Sequence, residues 1–428
     1  MSLRIPASVP KELSPNSLTP IPSLIEPSDI SRFEAKRLSL RTVIKKTPIA
    51  YADHIEAIDM YLPHLLAALN ASRQKPGVIK HNAAFKWKST LSARVRKVKK
   101  VTHPKVSGST LWFELTYVLL NRGYALCNMA TAMMEARGSN DDEFRLNQAA
   151  DKLIQAAGTF TYIADEVLVH WKTPVADRPP EGDPSVVRAL ALMALSDGQL
   201  LAIRKARLKS MSNSTLSKLY IDCAVKYEEA LALFRVRMQA SSSGPLSIVK
   251  SGELDGDLVQ AAQCGVAYCR AMVERCLAVD VYEKGEIGKA VALIKNALKR
   301  VQSAHQTESN NQTYLLNTLN AEQIELKLLA DTYIRVNDSV SFQPVPSIAS
   351  LGNIYPQPRS LLTAKIFIPP PFAFGNDVGV ISYGKPNMEM EIEQLSKLSI
   401  RSDSSGSNGN STSQKGVGGM AGTSSAYY

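Results

Sequence analysis

The chain has 428 residues, of which 45% are hydrophobic and 21% charged, with a formal net charge of +11. That length holds one large domain or two to three ordinary ones, and the composition is that of a soluble protein with a sizeable core. Five cysteines (Cys127, Cys223, Cys264, Cys269, Cys276) sit inside helical patterns, and no secretory leader is legible, so they read as reduced core thiols of a cytosolic protein.

The charge is uneven. Eleven Lys and Arg residues fall between Arg73 and Lys105, and no acidic residue lies between Asp59 and Glu114. Such a field draws in an acidic membrane surface, nucleic acid or an acidic partner helix. The plain alternative is a solvated loop without a dedicated ligand.

Residues 1–27 hold six prolines among serines and small apolar residues, an extended lead-in. Ser39 to Ile44 fits either one short strand or a helix end. Ala52 to Ala71 is a helix carrying Pro63, so a kink or break is expected there. The basic block follows, with Phe85, Trp87 and Val95 interleaved. Aromatics among cations can stack bases, but packing against helices is the better reading, and no nucleic-acid partner is expected.

Leu111 to Met134 is apolar on nearly every side, which predicts a helix surrounded by other helices. It is long enough to span a membrane, but Glu114, Asn121, Arg122 and Asn128 interrupt it. A charge near mid-bilayer costs at least about 2.5 kcal/mol, so a buried soluble helix is expected. Its partner runs from Glu143 to Val169, with an apolar stripe at Phe144, Leu146, Ala150, Leu153, Ala157, Phe160 and Ile163. Asn140 to Glu143 supplies a capping box for its start.

Prolines 174, 179, 180 and 184 mark a turn-rich connection, and Asp183-Pro184 signals a helix start. Helices are predicted at 184–209, 214–239, 253–281, 285–305 and 312–335, with short joints that make neighbours antiparallel. Pieces such as Tyr227–Leu231 and Gly285–Ala290 resemble tetratricopeptide (TPR) helices, but no strict 34-residue repeat emerges. Residues 340–387, rich in Pro, Ile and Phe, read as an extended strap lying along the helices. Glu389 to Leu398 fits a last amphipathic turn or two, and from Arg401 the Ser/Gly/Asn tail cannot cover a core.

Chemistry is nearly silent. Glu166 with His170, and His305 with Glu308, are spaced as helical neighbours, but two ligands do not make a metal site. Cys264, Cys269 and Cys276 lack zinc-pair spacing. Gly416 to Ala421 fits a loose dinucleotide pattern without a preceding strand. No cofactor, metal or catalytic group is assigned.

Several stretches together resemble the Bro-one domain, the boomerang-shaped, TPR-cored module of Alix and its relatives. They are Phe113-Glu114 with Val118 to Asn121; Ala156-Ala157-Gly158 with Phe160; Gly285-Glu286-Ile287; and Asn337-Asp338 followed by Phe342 and Val345-Pro346. The family's Ala-Gln-Ala-Gln-Glu helix is here Leu195 to Gln199, a departure that suggests a distant branch. A short basic chain with this domain alone looks most like a fungal group of pH-response regulators. No length remains for the coiled domain that follows in Alix, nor is there a C-terminal lipidation cysteine.

The resemblance implies an all-α, elongated and curved TPR-like solenoid with a Pro-rich C-terminal strap and room for a few short N-terminal strands. The domain would cover 20–385, after a lead-in at 1–19 and before a short helix or linker at 386–400 and a disordered tail at 401–428. The implied role is a non-enzymatic adaptor that binds the C-terminal helix of an ESCRT-III subunit and joins it to a plasma-membrane ambient-pH sensing complex. A protease would then process a transcription factor. The implied docking patch falls near Leu201, Thr215 and Leu219, with Leu216 beside them, although Thr215 stands where a larger aliphatic is usual. By periodicity alone these leucines are equally core. From charge, Arg94, Arg96, Lys97, Lys99 and Lys100 are the candidate contacts to an acidic membrane. A TPR-like scaffold for another partner is the remaining alternative.

Overall fold

The computed structural model describes residues 4–11, 13, 17–21, 24–75, 77–80, 83–97, 100–135, 142–242, 252–306, 313–352 and 354–375. The expected amphipathic turn at Glu389–Leu398, the tail, the capping residues Asn140 and Asp141, and residues 376–387 of the strap lie outside these. Among the described residues there are nine α-helices: α1 Pro27–Lys45, α2 Tyr51–Gln74, α3 Leu111–Glu135, α4 Asp142–Tyr162, α5 Pro184–Leu208, α6 Asn213–Ser242, α7 Gly256–Glu283, α8 Ile287–Gln306 and α9 Thr313–Val336. Each packs chiefly on its immediate neighbours in sequence. A serial stack of helix hairpins of this kind is an all-α solenoid.

Between α2 and α3 lie two small antiparallel ribbons. Strand β1 (Phe85–Lys88) pairs with β4 (Lys105–Gly108), and β2 (Val95–Lys97) pairs with β3 (Lys100–Thr102). Phe85 and Trp87, alternating with exposed lysines, are buried against the helices, as their spacing requires.

Ser39 to Ile44 belong to α1. Ile30, Phe33, Arg37, Leu40 and Ile44 are buried at steps of three and four, which a strand could not deliver to one face. Helix α2 runs through Pro63 unbroken. Tyr61, Leu62, Leu65 and Leu66 flank the proline and are all buried, enough to outweigh the roughly 3 kcal/mol that an interior proline costs. Helix α3 is buried on nearly all sides, and its Arg122 donates to Asp59 at 2.8 Å instead of facing lipid. One described helix, α5, is long and apolar enough to cross a membrane by length and composition, but most of that stretch is buried by its neighbours.

A single carboxylate ties the N-terminal elements together. Glu114 on α3 has no exposed surface and accepts from Arg37 Nε at 2.6 Å, Trp87 Nε1 at 2.6 Å and Tyr61 Oη at 3.3 Å. Arg37 also donates to the Lys11 carbonyl at 2.7 Å. The lead-in is held onto α3 as well, through Ser8 N to Asn121 Oδ1 and Asn128 Nδ2 to the Ile5 carbonyl, both 2.7 Å.

The strap crosses the helices in reverse order. Gln343 bonds Gly285 and Gly288 at the start of α8, and Tyr355 Oη donates to Glu274 of α7. Arg359 N then reaches the Lys218 carbonyl of α6, Leu361 N reaches Gln199 of α5, and Lys365 N reaches the Ile154 carbonyl of α4. Phe367 meets Tyr162 and the α3 residue Arg122, and Ala373 N ends the run on the Pro63 carbonyl of α2. Because extended chain alternates its side chains, Ile366 and Ile368 stay exposed on either side of Phe367, and Phe342, in a left-handed turn at the head of the strap, is exposed as well. Gly158 marks the closest approach, since a Cβ there would lie 1.6 Å from the Lys365 carbonyl oxygen.

Glu114→Ala should lower unfolding free energy by about 3–5 kcal/mol in urea titration, because Arg37 would be left buried and uncompensated. Gly158→Ala should lower it by about 1–3 kcal/mol and raise amide hydrogen exchange selectively at residues 359–367, as the strap lifts away from α4.

Candidate partner-binding sites

The proposed docking strip lies on the α5–α6 hairpin. Asp183 caps α5 by accepting from Ser185 N at 2.9 Å, with Pro184 as the first helical residue. Ser210, at φ 53°, turns the chain in the left-handed region, and the Ser212 carbonyl takes the amides of Thr215 and Leu216 to begin α6. The two helices are locked in register where Gln199 Nε2 donates to the Leu219 carbonyl at 2.9 Å and Ser196 Oγ to the Cys223 carbonyl.

That register seals most of the strip. Leu219 is wholly buried, and Leu201 and Leu216 are 8% and 6% exposed; only Thr215 among the four has appreciable surface. The expectation that Leu219 offers surface to a partner is therefore corrected: it is a rung of the α5–α6 contact. The open apolar groups nearby are Leu208, 60% exposed and two turns beyond Leu201, and Met211 in the turn. Phe144, expected on the buried stripe of α4, is also 60% exposed, while Leu146, Leu153, Ala157, Phe160 and Ile163 are buried as expected.

Sequence reasoning missed the work of the divergent stretch before this hairpin. Asp197 accepts from Tyr227 Oη, and Gly198 lies under Leu362 of the strap. Gln199 joins Leu219, Asp222 and Leu361. A Gly-Gln pair inside an apolar helix was the available signal.

The basic block divides. Arg94 pairs with Asp257 at 2.9 Å and with Asp255 at 3.7 Å, so it fastens the block to the start of α7 and does not stand free for a membrane. Ala93 N to the Glu253 carbonyl and Asp255 N to the Leu91 carbonyl complete that seam. Arg96 and Lys97 lie in β2 and Lys100 in β3, with Lys97 opposite Lys100 in the register; Lys99 is outside the described residues.

Residues 27–371 match the family model for the BRO1-like domain. The chain belongs to the BRO1-like domain family. It is similar to the pH-response regulator protein palC of Cryptococcus neoformans var. neoformans serotype D, 23% identical over 440 residues, covering 85% of this chain and 90% of the relative. Among solved structures it resembles one titled "ALIX BRO1 CHMP4C complex", with a TM-score of 0.60 at 14% identity, covering 86% of this chain and 96% of that one. A second, titled "Structure basis for endosomal targeting by the Bro1 domain", matches with a TM-score of 0.56 at 16% identity, covering 85% and 92%.

The remaining candidates serve the BRO1-like scaffold. All five cysteines are buried thiols; burial raises the Cys269 thiol well above its ordinary value and pushes Cys276 up to about 12, so neither is a ready nucleophile. His170 stacks on Trp112 at 4.2 Å, and burial, with Arg73 nearby, lowers its pKa. No group of three metal-ligating side chains occurs among the described residues, and the side chain of His305 lies outside them. Glu181 is fully buried and accepts from Ser89 Oγ at 2.6 Å and Leu91 N at 3.0 Å, holding the loop after β1. Burial raises its pKa above the ordinary 4.5.

Folding therefore takes up a proton at Glu181 in the window above pH 4.5. Its contribution to stability is present at low pH and is lost as pH climbs through the raised value. Glu181→Gln should flatten the pH dependence of urea unfolding in that window while leaving the acid limb in place.

Proposed function

We propose that this chain is a non-enzymatic adaptor of the palC type. It holds the C-terminal helix of an ESCRT-III subunit and links it to an ambient-pH signalling complex at the plasma membrane, upstream of the proteolytic activation of a transcription factor. The observation that carries this reading is a near full-length similarity to a pH-response regulator, on a fold shared with a structure titled as an ALIX BRO1 complex with CHMP4C. The adaptor works in the cytoplasm and is recruited to membrane sites.

The α5–α6 turn supplies the surface. Leu201 and Leu216 form a nearly buried floor, Thr215 the rim, and Leu208 and Met211 the exposed apolar anchors. An amphipathic helix laid into such a site draws most of its affinity from a few anchors of this type. No bond is made or broken, so the output is co-localisation.

A second reading has one supporting feature. The sequence puts Arg96, Lys97, Lys99 and Lys100 within five residues of chain, with Arg96 and Lys97 on β2 and Lys100 on β3, a density of charge that an acidic bilayer attracts. Sedimentation with phosphatidylserine vesicles should then fall as salt rises and vanish when these four residues are changed to glutamine.

Fluorescence anisotropy with the isolated ESCRT-III C-terminal helix tests the main reading. Leu208→Asp and Thr215→Asp alter solvent-facing positions and should each weaken binding by about tenfold, near 1.4 kcal/mol, with unchanged circular dichroism. Full affinity in both folded variants would move the site elsewhere; no binding by the unaltered chain would reject the function.

A further inference from the structure

Far from the α5–α6 hairpin in sequence, a cleft of about 1060 Å³ opens where strand β4, the start of α3 and the 170–179 connection meet. It exceeds the usual small-molecule pocket of about 300–1,000 Å³. One wall is β4 itself, and the other includes Gly77 to Ile79 and Lys172-Thr173. Trp112, half-buried and stacked on His170, lies between them, with the Arg73 guanidinium 6.0 Å from the indole centre.

The backbone of β4 is half used. Lys86 O accepts from Lys11 N, and Lys88 O accepts from Ser8 Oγ, so these β1 residues turn their backbone polar groups toward the lead-in. Phe85 and Trp87 then face β4, as does Ser89, whose amide donates to the Pro104 carbonyl at 2.9 Å. Val106 and Gly108 therefore bond to β1, and Lys105 and Ser107 point their N–H and C=O groups outward along the cleft. Among the described residues β4 has no second strand partner.

Positive charge gathers in this region. Lys105 and Lys172 line the cleft, Arg73 lies beside Trp112, and Lys11, Lys86 and Lys88 sit on the lead-in and β1; all are exposed, and none makes a described ion pair. Lys105 lies close enough to Lys11 to hold its ammonium below the ordinary value. The cleft's lining holds one carboxylate, Asp177, against Lys105, Lys172 and Arg178, and Arg178 is already committed to backbone carbonyls.

We propose that this cleft binds an acidic peptide segment in extended conformation, added as a third strand to the free edge of β4. Backbone pairing with Lys105 and Ser107 fixes the register, the lysines meet acidic side chains, and the Trp112–His170 stack takes one aromatic or proline side chain. A concave wall with an unpaired strand suits a single extended chain; a flat bilayer could not reach the outward amides of β4.

The full chain is titrated with a fluorescein-labelled peptide of alternating glutamate and valine carrying one tyrosine. Binding is expected, weakening with salt, and falling by about tenfold in Lys105→Glu with Lys172→Glu. Ser107→Pro removes an outward N–H at an edge position where proline is tolerated, and should weaken binding by a similar factor. The same loss is expected when the peptide, not the protein, is N-methylated at alternate residues, which keeps its charge and needs no variant to fold. Equal affinity for the methylated peptide would overturn strand addition. Absence of peptide binding, with sedimentation on phosphatidylserine vesicles through the same lysines, would overturn the proposal in favour of a membrane contact.

Discussion

The burial of Glu114 is the constraint from which the N-terminal half of this molecule follows. A carboxylate with no exposed surface must be matched by donors, and here the donors come from three other elements: Arg37 on α1, Tyr61 on α2 and Trp87 on β1. Satisfying one group therefore fixes four elements at once. Apolar packing alone would not set their register, because leucine and alanine faces slide at little cost. Glu274 plays the matching part further along, accepting from Asn296 and Arg300 of α8 and from Tyr355 of the strap. Buried Arg237 closes the joint between, donating to the carbonyls of Val175, Arg178 and Gly252. Buried polar nodes that draw donors from several elements favour one arrangement where hydrophobic contact would allow several.

A helical solenoid is held mainly by nearest neighbours, so its repeats can open nearly independently. The strap changes that. By touching α8, α7, α6, α5, α4, α3 and α2 in turn, it couples helices that otherwise share no surface. An adaptor benefits directly, since a docking face assembled from two helices keeps its geometry only if those helices cannot drift. Asp197-Gly198-Gln199, within the divergent stretch Leu195 to Gln199, is where strap, α5 and α6 are joined.

Local signals were easy to read from the sequence, and distant ones were not. Asp183-Pro184 placed the start of α5 because capping and proline geometry are decided within three residues. The helical period marked α6 to α9 to within a few residues for the same reason. Ser39 to Ile44 stayed ambiguous because six residues with β-branching fit both periods until Phe33 and Arg37 extend the stripe. The Phe113-Glu114 motif was visible, yet the partners of Glu114 lie 27 to 77 residues away and leave no mark on local spacing. The leucines of the candidate docking strip posed the hardest case, since core and landing surface share one periodicity, and only the α5–α6 register shows Leu219 closed off. Counting charges found the basic block, but Arg94 meets Asp257 across 163 residues, a pairing that the charge count alone could not show.

Hydrogen–deuterium exchange of the full chain, with and without the ESCRT-III C-terminal helix, bears most directly on the adaptor reading. Protection is expected at residues 201–220, spanning the end of α5 and the start of α6, with the strap contacts at 359–361 slowed in step. Protection confined to another pair of helices, or an exchange map unchanged by saturating helix, would contradict it.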